Sequence, residues 1–370
     1  MNTALRAGSL LLLLLGSAAP ASAFDFIVTR YNDPAPDGCL PDDCSLREAV
    51  IAANATSDAD RILLSAGVYT LTLFGSNEDF AAAGDLDLRE SVEILGVAAG
   101  VTILDAAALG EQAIAAALPG RVYAIRRLTV RHSVTSGIFL GPGIQTIEDF
   151  ESRDNGSNSG HHGILSGIGS VATLRRVSLV GNSGSGLSAT QNSTIVENST
   201  FSGNGTFDIS LSTMVDFSCN HCTLYDPTDS DPEFKAINSP TLSIANSIVA
   251  GNCNLTSSTL TSLGGNVESA GNTCGFGQPT DLNSVTTVAL DLGALTGNGG
   301  ATPTHLPGAA SVAVGNALDA LCLTTDQRGA ARTTDCESGA VELTALPVAT
   351  PLFLDGFLQG NTGAWSDAIE

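Results

Sequence analysis

The residues best placed to do chemistry cluster within one short stretch. Glu148, Asp149, Glu151 and Asp154 follow one another within seven residues, preceded by Arg126, Arg127, Arg131 and His132 and followed by Arg175 and Arg176. Carboxylates mixed with arginines are what β-elimination on a uronate requires: a basic side chain to take the proton, and acids, often with Ca²⁺, to neutralise the substrate carboxylate. In that reading Arg131 or His132 is the base, and Asp149, Glu151 or Asp154 is the acid or metal ligand. Glycoside hydrolysis would instead need two carboxyls separated by about 5–5.5 Å or about 6.5–9.5 Å. The competing reading is purely structural, an acidic stretch held between two basic ones, and the elements around it favour that reading.

Between Ile125 and Asn252 the chain repeats. Six segments align when started at Ile125, Ile147, Leu174, Val196, Cys219 and Ile244, at offsets of 22, 27, 22, 23 and 25 residues. A period in this range marks a stacked architecture. Every residue in that first column is apolar. The sixth column runs Val130, Ser152, Leu179, Phe201, Leu224, Val249, with Ser152 its one polar member. The second column runs Arg126, Glu148, Arg175, Glu197, so charge alternates over four rungs. Stacked strands lie about 4.8 Å apart, which brings such neighbours into contact. The register was not chosen on charge, so the alternation supports it independently. It also places no two carboxylates on adjacent rungs, because Arg175 separates Glu148 from Glu197. The ninth column contains Asn155, Asn182, Asn204 and Asn252. Asparagine tolerates left-handed backbone, and stacked amides can bond along a solenoid axis.

These columns predict an all-β, right-handed parallel β-helix. A short N-terminal helix should cover its open end. Ser45-Leu46-Arg47-Glu48 reads as a capping box, and the helix that follows, over about 46–54, places Leu46, Ala49, Val50 and Ala53 on one face. Residues 1–23 read as a secretory signal peptide, with Arg6, an apolar run from Leu10 to Leu15, and Ala21-Ser22-Ala23 before Phe24. That run is too short to span a bilayer, and no later one reaches about 18 residues. The expected divisions are 24–110 for the N-terminal cap and first coils, 111–289 for the repeats, 290–343 for a block closing the C-terminal end, and 344–370 for a linker and tail.

Eight cysteines behind an export signal favour disulfides over metal. Nearest-neighbour pairing would join Cys39 to Cys44, Cys219 to Cys222, Cys253 to Cys274 and Cys322 to Cys336, with other connectivities open. Cys219-x-x-Cys222 lacks the βαβ surroundings of a redox motif, and His161-His162 has no further ligand at metal spacing. No cofactor is expected, although acidic turns could hold Ca²⁺ weakly. A net charge of -23 with a single lysine, Lys235, excludes nucleic acid and anionic lipid as partners. The partner expected is glycan, or host or matrix material.

Several blocks resemble known families. Cys44-Ser45-Leu46-Arg47-Glu48-Ala49 resembles the signature of bacterial CSLREA-domain proteins, and the likeness extends over about 24–107. The central coils are similar to the parallel β-helix repeats of the pectin-lyase-like superfamily. Gly297-Asn298-Gly299-Gly300 with Thr302-Pro303-Thr304-His305, and Thr325-Asp326-Gln327-Arg328-Gly329, resemble the choice-of-anchor Q domain. The chain departs from that domain at Glu337-Ser338-Gly339-Ala340-Val341-Glu342, where an aromatic residue is expected. Asp355-Gly356-Phe357 through Ala364-Trp365-Ser366 resembles a tail on exported proteins of Gram-negative bacteria. The resemblance implies a secreted or surface-exposed β-helix and brings no catalytic constellation, and the favoured reading is a non-catalytic, adhesin-like or glycan-binding protein. A carbohydrate-active enzyme on the same scaffold is the alternative.

Overall fold

A computed structural model describes residues 23–226, 232–239 and 241–343, so residues 1–22 of the expected signal peptide and the expected linker and tail over 344–370 lie outside the described residues. Three parallel faces wind into a right-handed β-helix. On the first face the strands Asp25–Ile27, Asp60–Leu63, Val92–Leu95, Val122–Arg126, Gly143–Glu148 and Ser170–Arg175 stack in order. The two long strands Ser193–Ser202 and Asp216–Tyr225 then run across both first and second faces. The third face stacks eight strands, from Leu86–Leu88 to Cys253–Thr256.

The register is the one the columns require. Ile125, Ile147, Leu174, Val196, Cys219 and Ile244 are direct partners, and Ile62 and Ile94 extend the column towards the N-terminus. All eight are buried. A period-2 strand with one face inward can only stack this way, because a one-residue slip would expose the whole column. Ser152, the polar member of the sixth column, is also buried; its hydroxyl donates to Gly163 O at 2.9 Å and accepts from Asn155 Nδ2 at 3.0 Å.

The asparagine column corrects one expectation. Asn155, Asn182 and Asn204 are buried and bond rung to rung: Asn155 Nδ2 donates to Asn182 Oδ1 at 3.1 Å, and Asn182 Nδ2 to Asn204 Oδ1 at 3.0 Å. The left-handed residue is the one before each, namely Asp154, Gly181 and Gly203, with φ of 55°, 63° and 63°, and His132 before Ser133 takes the same place one coil earlier, at 60°. Asn252 is exposed and takes no part in the buried ladder. A second left-handed column, unforeseen, forms the bend between the first and second faces: Arg127, Asp149, Arg176, Asn198, His221 and Asn246, with φ between 47° and 59°. A single left-handed residue turns the chain through a corner without a loop, so the rungs above and below it stay aligned.

The helix Leu46–Ala53 begins at the capping box, where Ser45 accepts from Glu48 N and the Glu48 carboxylate accepts from Ser45 N at 2.7 Å. Leu46, Ala49, Val50 and Ala53 face the core. Arg47 is fully buried, and its Nε and Nη2 bind both Asp33 oxygens at 2.7 and 3.1 Å. The remaining guanidinium hydrogens go to the carbonyls of Ala81, Gly84 and Asp85. Every residue of Cys44-Ser45-Leu46-Arg47-Glu48-Ala49 thus has a structural task, Cys44 being bonded to Cys39.

The block from 290 onward begins against the last rungs, where Leu290 and Ala313 are buried with Ile248 and Val267 and Ser338 donates to Gly265 O. It then turns back and packs along the second face, so lateral docking accompanies its contact with the last coil. Ser178 donates to Pro303 O, Thr200 to Gln327 Oε1, and Ala340 N to Thr223 Oγ1. His305 Nε2 lies 3.0 Å from Ser202 Oγ, and Gln327 Nε2 donates to Val177 O. The reason is that the second face carries Ser178, Thr200 and Thr223 in one outward column. That row of hydroxyls receives the polar, backbone-rich part of the segment, while Ile248 and Val267, which continue the column, bury its apolar residues Leu290 and Ala313.

Candidate ligand groove

Lateral docking creates a groove of about 360 Å³ where the block meets the corner of the β-helix. One side is the charge ladder and the left-handed corner: Glu148, Arg175, Arg176, Glu197 and Asn198. The other is the segment Cys322-Leu323-Thr324-Thr325. Stacking fixes the first side, because Glu148, Arg175 and Glu197 are direct register partners. The Cys322–Cys336 disulfide and two side-chain bonds hold the second: Asn198 Nδ2 to Thr325 O at 2.7 Å, and Asn220 Nδ2 to Leu321 O at 2.9 Å.

The ladder breaks between Glu148 and Arg175, leaving a chain from Glu93 through Arg126, Glu148 and Arg176 to Asp149 and a separate Arg175–Glu197 pair. Arg126 Nε lies 3.1 Å from Glu148 Oε2, and Arg175 Nε donates to Glu197 Oε2 at 2.7 Å. Glu148 turns to Arg176, the left-handed neighbour of Arg175, whose Nη2 reaches Glu148 Oε1 at 2.6 Å. Arg176 Nε also binds Asp149 at 2.7 Å. The bond to Asp149 outweighs burial and raises the already high pKa of this guanidinium. Left-handed geometry at 149 and 176 points both side chains along the same corner, which explains a pairing that column reading alone does not give.

The five candidate catalytic residues do not converge. Arg131 Nε binds Asp105 at 2.9 Å, and His132 Nδ1 lies 3.2 Å from the same carboxylate. Asp149 is held by Arg176 at the first-to-second-face corner, whereas Asp154 binds Arg153 beyond the far end of the strand Glu151–Arg153. Glu151 is buried and accepts from Thr129 Oγ1 at 2.7 Å. Burial raises its pKa, partly offset by that hydrogen bond. Residues the sequence reading passed over matter more here. Asn198 ties the corner to Thr325 and accepts from the buried Arg332 at 3.0 Å. The signal for it was Asn in the third column, shared with Asn246.

The other candidates have structural partners. His162 accepts from Ser185 N at 2.9 Å, and burial, with His161 beside it, lowers its pKa to about 4. All four cysteine pairs are bonded to their nearest neighbours in sequence. His221 lies close to Cys322 and Cys336, but those sulfurs share a bond, and the histidine's two nitrogens face Gly339 O and Asn246 Nδ2.

Among the described residues no helix is long and apolar enough to cross a membrane. Fold and groove together define a disulfide-tied parallel β-helix protein with a lateral groove of mixed polar and apolar lining. No family model matches the sequence, and no curated protein does either. Among solved structures, the chain is similar to pectate lyase Pel9A at 10% identity and a TM-score of 0.45, covering 87% of this chain and 97% of that one. It is also similar to XylC in a complex with xylose at 12% identity and a TM-score of 0.40. That match covers 56% of this chain and only 41% of the other. A third likeness, to the A-module of mannuronan C-5 epimerase AlgE4 of Azotobacter vinelandii, has 14% identity and a TM-score of 0.30, covering 71% and 93%. Likenesses this distant carry no residue roles across.

Proposed function

We propose that this is an exported, non-catalytic glycan-binding protein of a Gram-negative cell surface, adhesin-like in role and built on the CSLREA and choice-of-anchor Q pattern. The observation that carries the reading is the commitment of the charged cluster. Arg131, His132, Asp149 and Asp154 each face an opposite charge, and Glu151 is buried against a hydroxyl. A general base or acid must be within reach of substrate and able to exchange a proton. Side chains locked in pairs on separate corners serve the stack instead. Four disulfides support an extracytoplasmic setting. Glycan, or glycosylated host or matrix material, fits an acidic protein whose groove combines charged and hydroxyl side chains with apolar surface.

One observation favours the enzymatic alternative. Glu148 and Glu197 stand two rungs apart, about 9.6 Å by strand spacing, near the upper end of the inverting range. Against it, Arg126 and Arg176 hold both oxygens of Glu148. A glycan array run beside a lyase and hydrolase screen separates the readings. Binding without turnover supports the proposal. Turnover of polygalacturonate or alginate that is lost in Asp149→Ala or Glu197→Gln would replace it with the enzyme, and failure in both assays would leave a structural envelope protein.

A further inference from the structure

We infer that the groove between the Arg175–Glu197 rungs and the Leu323–Thr325 strip selects an uncharged, hydroxyl-rich oligosaccharide over a polyuronate. The inference rests on the glycan-binding reading and narrows it to a site and a ligand class. Charge within the groove cancels, with Arg175 and Arg176 set against Glu148 and Glu197. Arg176 and Glu148 Oε1 are consumed by their own pairs, and Glu148 Oε2 lies beside the Arg126 guanidinium. What stays open is specific. Arg175 spends only Nε on Glu197, which leaves its Nη groups as a fork of donors and Glu197 Oε1 as an acceptor. Thr324 is exposed and Thr325 half-buried, and each adds a hydroxyl that both gives and takes, while Leu323 offers an apolar contact.

A sugar hydroxyl donates once and accepts twice, so a neighbouring pair of them can satisfy the fork, the carboxylate oxygen and the threonines together. A uronate carboxylate only accepts. It would suit Arg175 but lie against Glu197, with no proton to share and with no net positive charge in the groove to attract it. The chain's net charge of -23 adds a long-range penalty for any polyanion. The strip is already fixed by the Cys322–Cys336 disulfide and by the bonds from Asn198 and Asn220, so little ordering is required of it on binding.

The test is calorimetric titration of the full chain, made in an oxidising compartment, with neutral oligosaccharides (cello-, xylo- and manno-series) and with oligogalacturonate and oligomannuronate of equal length. Neutral ligands should bind with an affinity that changes less than about twofold between low and high salt. Arg175→Ala should weaken them by at least about tenfold, and Thr324→Val, a change on an exposed position that leaves the stack intact, by several-fold. Tighter, salt-sensitive binding of the uronates would overturn the inference and leave the glycan-binding reading standing. So would neutral binding unmoved by both variants. No binding of either class would overturn both.

Discussion

Asn182→Ala tests the internal amide ladder. The side chain makes four hydrogen bonds inside the solenoid, donating to Ser152 O at 3.1 Å and Asn204 Oδ1 at 3.0 Å and accepting from Asn155 N at 3.2 Å and Asn155 Nδ2 at 3.1 Å. Each buried bond is worth about 1 kcal/mol net, and an orphaned buried N–H costs more than a bond merely lost, so the expected cost is about 3–5 kcal/mol. A stacked array need not unfold in a single step, so a global melting temperature is a poor gauge. Native-state hydrogen exchange at the Asn155 amide reads the site directly. Protection there should fall by a factor of roughly 10²–10³ or more, and neighbouring rungs should follow. Asn182→Asp should be no milder, because a carboxylate cannot donate to Ser152 O. If Asn182→Ala leaves Asn155 protection within about fivefold of wild type, the ladder is incidental to stability and the reasoning fails.

The N-terminal cap should depend on Arg47. Arg47→Met strands the buried Asp33 carboxylate and should cost about 3–5 kcal/mol, read as early loss of the helix Leu46–Ala53 in limited proteolysis; unchanged cleavage would contradict this. Burial, aided by the nearby Asp87 and Glu111, raises the Asp85 pKa to about 8, so the folded chain keeps a proton that the unfolded chain releases above its ordinary value of 3.8. The sign follows: stability from this group is complete below about pH 4 and is lost as pH climbs to about 8. Asp85→Asn should flatten that decline, and limited-proteolysis rates at the N-terminal cap that rise in parallel for variant and wild type from pH 4 to 9 would refute the assignment. Replacing Cys322 and Cys336 together by serine opens a loop of sequence separation 14 and should weaken docking of the lateral block by about 3 kcal/mol. Glycan binding should fall while far-ultraviolet circular dichroism of the coils persists; retained binding would mean the strip is held without the disulfide.

Much of this molecule is legible in its residues because a stacked fold turns sequence period into spatial contact. Ile125, Ile147, Leu174 and Val196 had to coincide once their strands had one inward face, and the alternation of Arg126, Glu148, Arg175 and Glu197 came with that register. Ser45 and Glu48 announced the helix locally, since a capping box spans four consecutive residues. What the residues did not disclose depends on backbone direction and on contacts between distant segments. The left-handed bends at Asp149 and Arg176 redirected Glu148 from Arg175 to Arg176, a choice set by side-chain vectors rather than by column. The docking of 290–343 onto Ser178, Thr200 and Thr223 joins residues more than a hundred positions apart, and no period links them. Periodicity along the chain therefore determined the coils, whereas the groove came into being only when a non-repeating segment folded back across them.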